Sequence, residues 1–246
     1  DAMSGPFRLL ARGAVAGLLS LGTLAGCGPI DSTLEAGRPL SFEQSAVIVA
    51  ADGRRLQVGE YEVTWQDWKR CYEARGCSFL PRPARIDGGK TFPVVGVNRL
   101  DVDEFIAWAN KRDARQYRLP TADEWDVLAA ELPKPKTGKL FTDPRLAWAA
   151  DFGQMPALPA RVQPSGDFGV LPNGLKDLGG NVWEWTSTCA AGDAADDRCP
   201  AFVAQGLHEA VISVFIRDPA TGGCASGVPP PHVGFRLVSD IEYIES

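Results

Sequence analysis

Most of the chemistry on offer sits in six cysteines, two histidines and one glycine-rich segment that ends in a carboxylate. In Gly179-Gly180-Asn181-Val182-Trp183-Glu184 the glycines allow a close approach of backbone and expose carbonyl oxygens. Glu184 adds a carboxylate, and an oxygen-only cluster of this kind suits Ca²⁺. Gly179, Gly180, Asn181, Val182 and Glu184 are therefore the candidate calcium ligands. The competing reading makes Glu184 a buried carboxylate satisfied by backbone amides while Trp183 and Trp185 fill the core; a charge kept there needs a positive partner. His208 and His232 stand in no recognisable arrangement with a Cys or Ser nucleophile. His232 follows Pro229-Pro230-Pro231 and reads as an exposed loop residue. Asp193, Asp196 and Asp197 read as a solvated loop, and Gly222-Gly223 lacks the strand and helix context of a phosphate cradle. No catalytic residue is assigned.

The cysteines divide by position. Cys27 closes Leu24-Ala25-Gly26-Cys27, after Arg8, Arg12 and an apolar stretch from Gly13 to Leu24. That order is expected of a secretory signal, residues 1–26, with a lipobox. Small Ala25 and Gly26 admit a peptidase, and Cys27 takes the lipid. Fifteen residues from Gly13 to Cys27, several of them Gly, fall short of the ~20 needed to span a bilayer. Asp1 and Ala2 precede Met3 and read as cloning residue. Gly28 in place of an acidic residue points to an outer membrane, with the mature protein facing the periplasm. Cys71 and Cys77 are expected to close a local disulfide at a helix end, since no His lies near them to complete a zinc site. Cys189 and Cys199 flank a Gly/Ala/Asp loop and form a second candidate pair, with Cys199–Cys224 as the competing pairing. An exported chain permits such bridges.

The elements that must position these groups follow from pattern. With 45% hydrophobic residues, seven Trp and a net charge of −6, the chain can build one sizeable core and offers no basic stripe for nucleic acid. Residues 27–45 carry Pro29, Gly37 and Pro39 without periodicity and read as a tether; residues 46–241 form the domain and 242–246 a tail. Strands are expected at Val47–Ala50 and Leu56–Val63 around Asp52-Gly53. Thr64 caps a helix to about Arg75, with Trp65, Trp68 and Tyr72 facing the core. Phe92–Val97 reads as a short buried strand, and Asp101 caps a second helix with Phe105, Ile106, Trp108 and Ala109 as its apolar stripe. Thr121 and Glu124 make a capping box, after which Trp125, Leu128 and Ala129 turn inward. From Pro133 to Leu178 the periodicity dissolves.

Four segments in order carry a resemblance. Tyr61-Glu62-Val63-Thr64 with the following helix, Tyr117-Arg118-Leu119-Pro120-Thr121-Ala122-Asp123-Glu124-Trp125, Gly174-Leu175-Lys176-Asp177-Leu178 running into Gly179–Trp185, and Gly234-Phe235-Arg236-Leu237 resemble the corresponding motifs of the formylglycine-generating-enzyme (sulfatase-modifying factor) family. The resemblance implies an α+β, C-type-lectin-like fold, loop-rich, with small antiparallel sheets and two or three helices. It also implies that the Gly180–Glu184 segment binds calcium, mainly through backbone oxygens and Glu184. A second family calcium site would fall near Asp151 and Asp167, where the match is loose.

The resemblance implies that active members hold copper on a cysteine pair about twenty residues before the closing Gly-Phe-Arg. Here the corresponding stretch, Glu209 to Arg217, has no cysteine, and Cys224 is the one thiol nearby. Cu(I) needs two soft thiolates, so copper is not expected. The function expected is a non-catalytic, lipid-anchored recognition or scaffolding module, an accessory subunit of an envelope protein assembly. The alternative is a periplasmic oxidase that uses a rearranged cysteine pair, or a copper-free oxidation in the same cleft. Residues 78–90 and 217–232 are the expected binding surface.

Overall fold

The structure is a computed structural model of the chain and describes residues 40–84, 91–112, 115–132, 161–192, 198–221, 224–226 and 230–241. The signal segment, Cys27, the tether up to residue 39, Asp151, the Asp193/Asp196/Asp197 loop, Gly222-Gly223 and the tail lie outside the described residues. Among the described residues no helix is long and apolar enough to cross a membrane.

Two sheets and three helices organise what is described. Strands β1 (Ser45–Val49) and β2 (Arg55–Gly59) form the expected hairpin, with Ser45 opposite Gly59 and Val49 opposite Arg55. Gly53 supplies the positive φ of the turn. The strand expected to run to Val63 stops at Gly59, beyond which Val63 N–H reaches Phe235 O and Val94 N–H reaches Val63 O instead. β3 (Tyr117–Arg118) and β9 (Val238–Asp240) complete a sheet ordered β1-β2-β9-β3. The second sheet takes β4 (Trp183–Cys189), β5 (Ala201–Gln205), β6 (Ala210–Ser213), β7 (Cys224–Ser226) and β8 (Val233–Gly234) in the order β7-β6-β5-β4-β8. It is mixed and not purely antiparallel, because β8 returns parallel to β4 after the β5–β7 meander.

Local chemistry sets the helices. α1 (Trp65–Glu73) starts where Thr64 Oγ1 accepts from Asp67 N–H at 3.2 Å, while Asp67 in turn accepts from Thr64 Oγ1–H at 2.7 Å. Arg75, with φ of 58°, turns the chain out of the helix, and Cys71 is bridged to Cys77 as expected. Gly76 has to be glycine for a different reason, since a Cβ there would overlap the Trp108 ring. The face assigned to Tyr72 is corrected: Trp68 is buried but Tyr72 is 41% exposed. Turning Cys71 inward toward its partner swings the next residue by about 100° around the helix axis, into solvent. α2 (Arg99–Arg112) begins one turn earlier than the expected Asp101 cap. Asn98 Oδ1 accepts from Asp101 N–H at 2.9 Å and Asp101 Oδ2 accepts from Asn98 N–H at 3.0 Å, a reciprocal cap. α3 (Ala122–Leu128) carries the Thr121/Glu124 capping box in full.

The strand expected at Phe92–Val97 is an isolated bridge between Thr64 and Pro93. Pro93 has no N–H to give to a ladder, although Phe92, Val94 and Val97 are buried as the apolar run requires. The principal core stacks Trp68 on Phe105 at 5.4 Å between ring centres and sets Phe235 edge-on to both. Leu40 and Phe42 join that core, so residues 40–45, read as tether from sequence, pack with the domain.

Candidate functional site

Gly174 to Trp185 and the closing Val233 to Val238 meet where β4 pairs with β8. Asp177 takes a positive φ of 65° and turns its carboxylate onto the preceding loop, where it accepts from the N–H groups of Gly166, Phe168 and Gly169. Asn181, also at positive φ, pairs both ways with the Gln163 backbone: Oδ1 accepts from N–H at 2.8 Å and Nδ2 donates to the carbonyl at 3.3 Å. Gly180 lies so close to the Phe168 ring that any Cβ would overlap it. The close backbone approach expected of the glycines is therefore spent, at Gly180, on an aromatic side chain.

Glu184 sits on β4 with the buried indoles of Trp183 and Trp185 on either side, as expected, but its partners are side chains and not backbone amides. Arg236 Nη2 donates to Glu184 Oε1 at 2.9 Å and Arg236 Nε to the same carboxylate at 3.2 Å, while Trp125 Nε1 donates to Oε2 at 2.9 Å. Arg236 is fully buried and donates further to the carbonyls of Gly59 at 2.7 Å and Lys176 at 2.7 Å. Burial alone would lower its pKa; the negative charge of Glu184 and Glu62 more than reverses that. Arg236 and Trp125 already donate to the Glu184 carboxylate, so a calcium ion there would have to share it with a guanidinium. Calcium at this segment would rest on the backbone oxygens of residues 179–182. Among the described residues no three His, Cys, Asp or Glu side chains gather as a metal centre, and Asp167 is exposed.

Glu62 is the residue whose role the sequence did not reveal. It is 0% exposed, and neither carboxylate oxygen has a hydrogen-bond partner. Burial pushes its carboxyl up to about 8; Arg236 pulls the other way, and the charges of Glu184 and Asp177 raise it further. Burial also raises Asp177, against the pull of the Gly166 and Phe168 amides. Three acids thus surround one arginine, and Glu62 resolves the excess by holding its proton at neutral pH. The available signal was a carboxylate set directly between Tyr61 and Val63.

The stretch corresponding to the oxidase strand is β6 and the turn after it. Val214 N–H donates to Pro200 O, Phe215 O accepts from Asn98 Nδ2 at 3.3 Å, and Arg217 grips Asp101 through Nε at 2.7 Å and Nη2 at 2.8 Å. The Arg217 guanidinium also lies 3.9 Å over the Phe79 ring, which joins the two segments expected to form the binding surface. Trp65 and Trp68 hold residues 79–81 from below through indole hydrogen bonds to the carbonyls of Pro81 at 2.9 Å and Phe79 at 2.8 Å. Cys199 is bridged to Cys189, so the competing Cys199–Cys224 pairing is not formed; Cys224 stands in β7 opposite Ile212. Bridged to Cys189, Cys199 has no thiolate to offer copper. His232 is half-buried and not an exposed loop residue, since its carbonyl accepts from Trp183 N–H as β8 joins β4.

Three helices, two small sheets and long connections held by buried polar groups define an α+β fold of the formylglycine-generating-enzyme kind. The model of the sulfatase-modifying factor enzyme 1-like domain matches residues 41–241, and the chain belongs to that family. A curated relative, "Inactive C-alpha-formylglycine-generating enzyme 2" of Bos taurus, is 34% identical over 110 residues, 39% of this chain. The match spans 33% of that relative's length. Among solved structures, PvdO from Pseudomonas aeruginosa superposes with a TM-score of 0.51 at 18% identity, covering 77% of this chain and 82% of its own. Treponema denticola variable protein 1 gives 0.52 at 17% identity, covering 80% and 95%. At those identities the likeness is one of fold.

Proposed function

We propose that the protein is a non-catalytic recognition or scaffolding module, held by lipid at Cys27 to the periplasmic face of a bacterial membrane as an accessory subunit of an envelope assembly. The observation that carries the non-catalytic part is the fate of the sulfurs. Cys71, Cys77, Cys189 and Cys199 are consumed in two disulfides, which leaves Cys27 and Cys224 as the other cysteines of the sequence, one of them in the lipobox, where the family's oxidases need a neighbouring pair. The Bos taurus relative, named as inactive, agrees with that reading over the part it matches. The lipid anchor is supported by the order Arg8, Arg12, apolar stretch, Leu24-Ala25-Gly26-Cys27. A rigid scaffold carrying long connections is a suitable platform for recognition.

The test is purification of the full-length protein from membranes with its N-terminal segment intact, followed by stoichiometry of what comes with it. One envelope complex in fixed ratio supports the reading. A protein recovered alone that oxidises a peptide thiol, or that takes up one Cu(I) with loss of two titratable thiols, would sink it.

A further inference from the structure

We propose that β1 pairs with β1 of a second copy of this chain, antiparallel and centred on Val47, so that two four-stranded sheets join into one. This goes beyond the recognition reading above and does not depend on it. β1 ends the sheet order β1-β2-β9-β3, and its bonds to β2 reveal which backbone groups are committed. Gln44 O accepts from Glu60 N–H at 2.9 Å, and Ala50 N–H donates to Arg54 O at 2.8 Å. Antiparallel ladders alternate bonded and non-bonded pairs, so Ala46 and Ile48 also bond toward β2. Ser45, Val47 and Val49 then turn their N–H and C=O groups the other way, and no described residue takes them.

The edge lacks what ordinarily keeps strands apart. Open edges are usually short, charged, interrupted by Pro or bent by a bulge. Ser45–Val49 is five residues long, carries no charge and no Pro, and keeps its register unbroken from Ser45 opposite Gly59 to Val49 opposite Arg55. The other sheet edges among the described residues, β3, β7 and β8, are two or three residues long. Val47 is 50% exposed and Val49 57%, both on the face turned away from Leu56 and Val58. On the inner face Ala46 and Ile48 are covered only in part.

A second copy fits this edge because the strand is complementary to itself. About a two-fold axis at Val47, Ser45 of one copy falls opposite Val49 of the other, and Val47 meets Val47 as a cross-strand pair of β-branched side chains. The inner face sets Ala46 against Ile48, so the apolar cluster of Leu56, Val58 and Val238 runs on into its twin. Arg55, opposite Val49, comes into line with Gly59 of the other copy, so like charges do not confront each other across the sheet. A foreign strand would find no charge on β1 to select it. An edge about 17 Å long and one side chain deep on each face covers on the order of 300 Å² per copy, against roughly 800 Å² in a standard interface. The dimer is accordingly weak, with a Kd on the order of 100 µM.

The experiment is sedimentation velocity of the full-length chain in detergent, from about 1 µM to about 1 mM, on either side of that constant. The sedimentation coefficient is expected to climb from monomer to dimer. Val47→Lys sets two ammonium groups opposite each other and should weaken the dimer at least about tenfold. Val47→Glu should do the same, and an equal mixture of the two variants should restore association, which also shows that both are folded. Register is read from Val47→Cys, which brings two thiols to paired positions about 5.5 Å apart between Cα atoms and should give an oxidised dimer above the wild-type background. Val49→Cys, at positions about 13 Å apart along the ladder, should not. A chain monomeric at every concentration, a dimer that survives Val47→Lys, a charge mixture that stays apart, or crosslinking as fast at Val49 as at Val47 would each overturn the proposal. So would hydrogen exchange in which the Ser45, Val47 and Val49 amides are protected equally at the lowest and highest concentrations, since the edge would then be occupied from within the same chain.

Discussion

The closing segment carries two charge clusters, one on each side of Leu237, and they are built on opposite principles. Ahead of it, Arg236 is sealed among Glu184, Glu62 and Asp177, with every contact fixed by β4, β2 and the Lys176 turn. After it, Asp240 receives Arg54 at 2.7 Å and Arg118 at 2.9 Å at the surface, and both arginines reach on to Glu124. Distances are similar in the two clusters, but the medium is not. Inside, removing one charge strands its partner in low dielectric; outside, water replaces it. Hydrogen-bond length alone therefore says little about what either cluster contributes.

The comparison can be broken at four points. Arg236→Met should cost the most, about 3–5 kcal/mol, because Glu184 stays buried with Trp125 as its remaining donor; a urea midpoint close to wild type would show that the inner cluster behaves like the outer one. Glu62→Gln comes next and is read against pH. The carboxyl is raised from 4.5 in the unfolded chain to about 8, so the folded form holds a proton that the unfolded form has lost between those values. Stability is full below about 4.5, falls as pH rises toward 8 at about 1 kcal/mol per pH unit, and levels off above. Glu62→Gln should remove most of that slope in unfolding curves from pH 5 to 8, while a residual fall of the same sign from Asp177 remains.

Arg118→Ala should cost about 1–2 kcal/mol, since it strips two hydrogen bonds from the buried Glu124 carboxylate. Arg54→Ala, made at a site open to water, should shift the melting temperature least, and added salt should erase the shift. If Arg54→Ala and Arg118→Ala proved equal, the sharing of Glu124 between the two arginines would be symmetrical despite their different burial.

What the sequence made legible was whatever depends on neighbours in the chain. Thr64 and Thr121 announce their helices because the cap and the amide it accepts from are three residues apart. Cys71 and Cys77 announce their bridge for the same reason. The glycines before Asn181 indicated close packing, but the identity of the packed group, Phe168, depended on a fold-back that no local pattern encodes. Glu184 was recognised as a carboxylate in need of a positive partner; that the partner is Arg236, 52 positions away, emerges only when β8 pairs with β4. Glu62 stayed hidden longer, because its defining property is a carboxylate that is buried beside Arg236 without a hydrogen bond to either oxygen. The strand expected at Phe92–Val97 failed on one atom, the missing N–H of Pro93.

The packing of Leu40 and Phe42 has a mechanical consequence. Whatever holds the chain upstream, tension applied there enters the domain at residues 40–42 before it reaches the edge strand β1. It meets the Phe42 ring, edge-on to Phe105 and Tyr117, and the Ser41 amide and hydroxyl gripped by Asp67 at the head of α1. The β1–β2 hairpin therefore hangs behind this lock, so that a tug on the N-terminal end would load the aromatic centre first and leave the hairpin unstretched until the lock gives way.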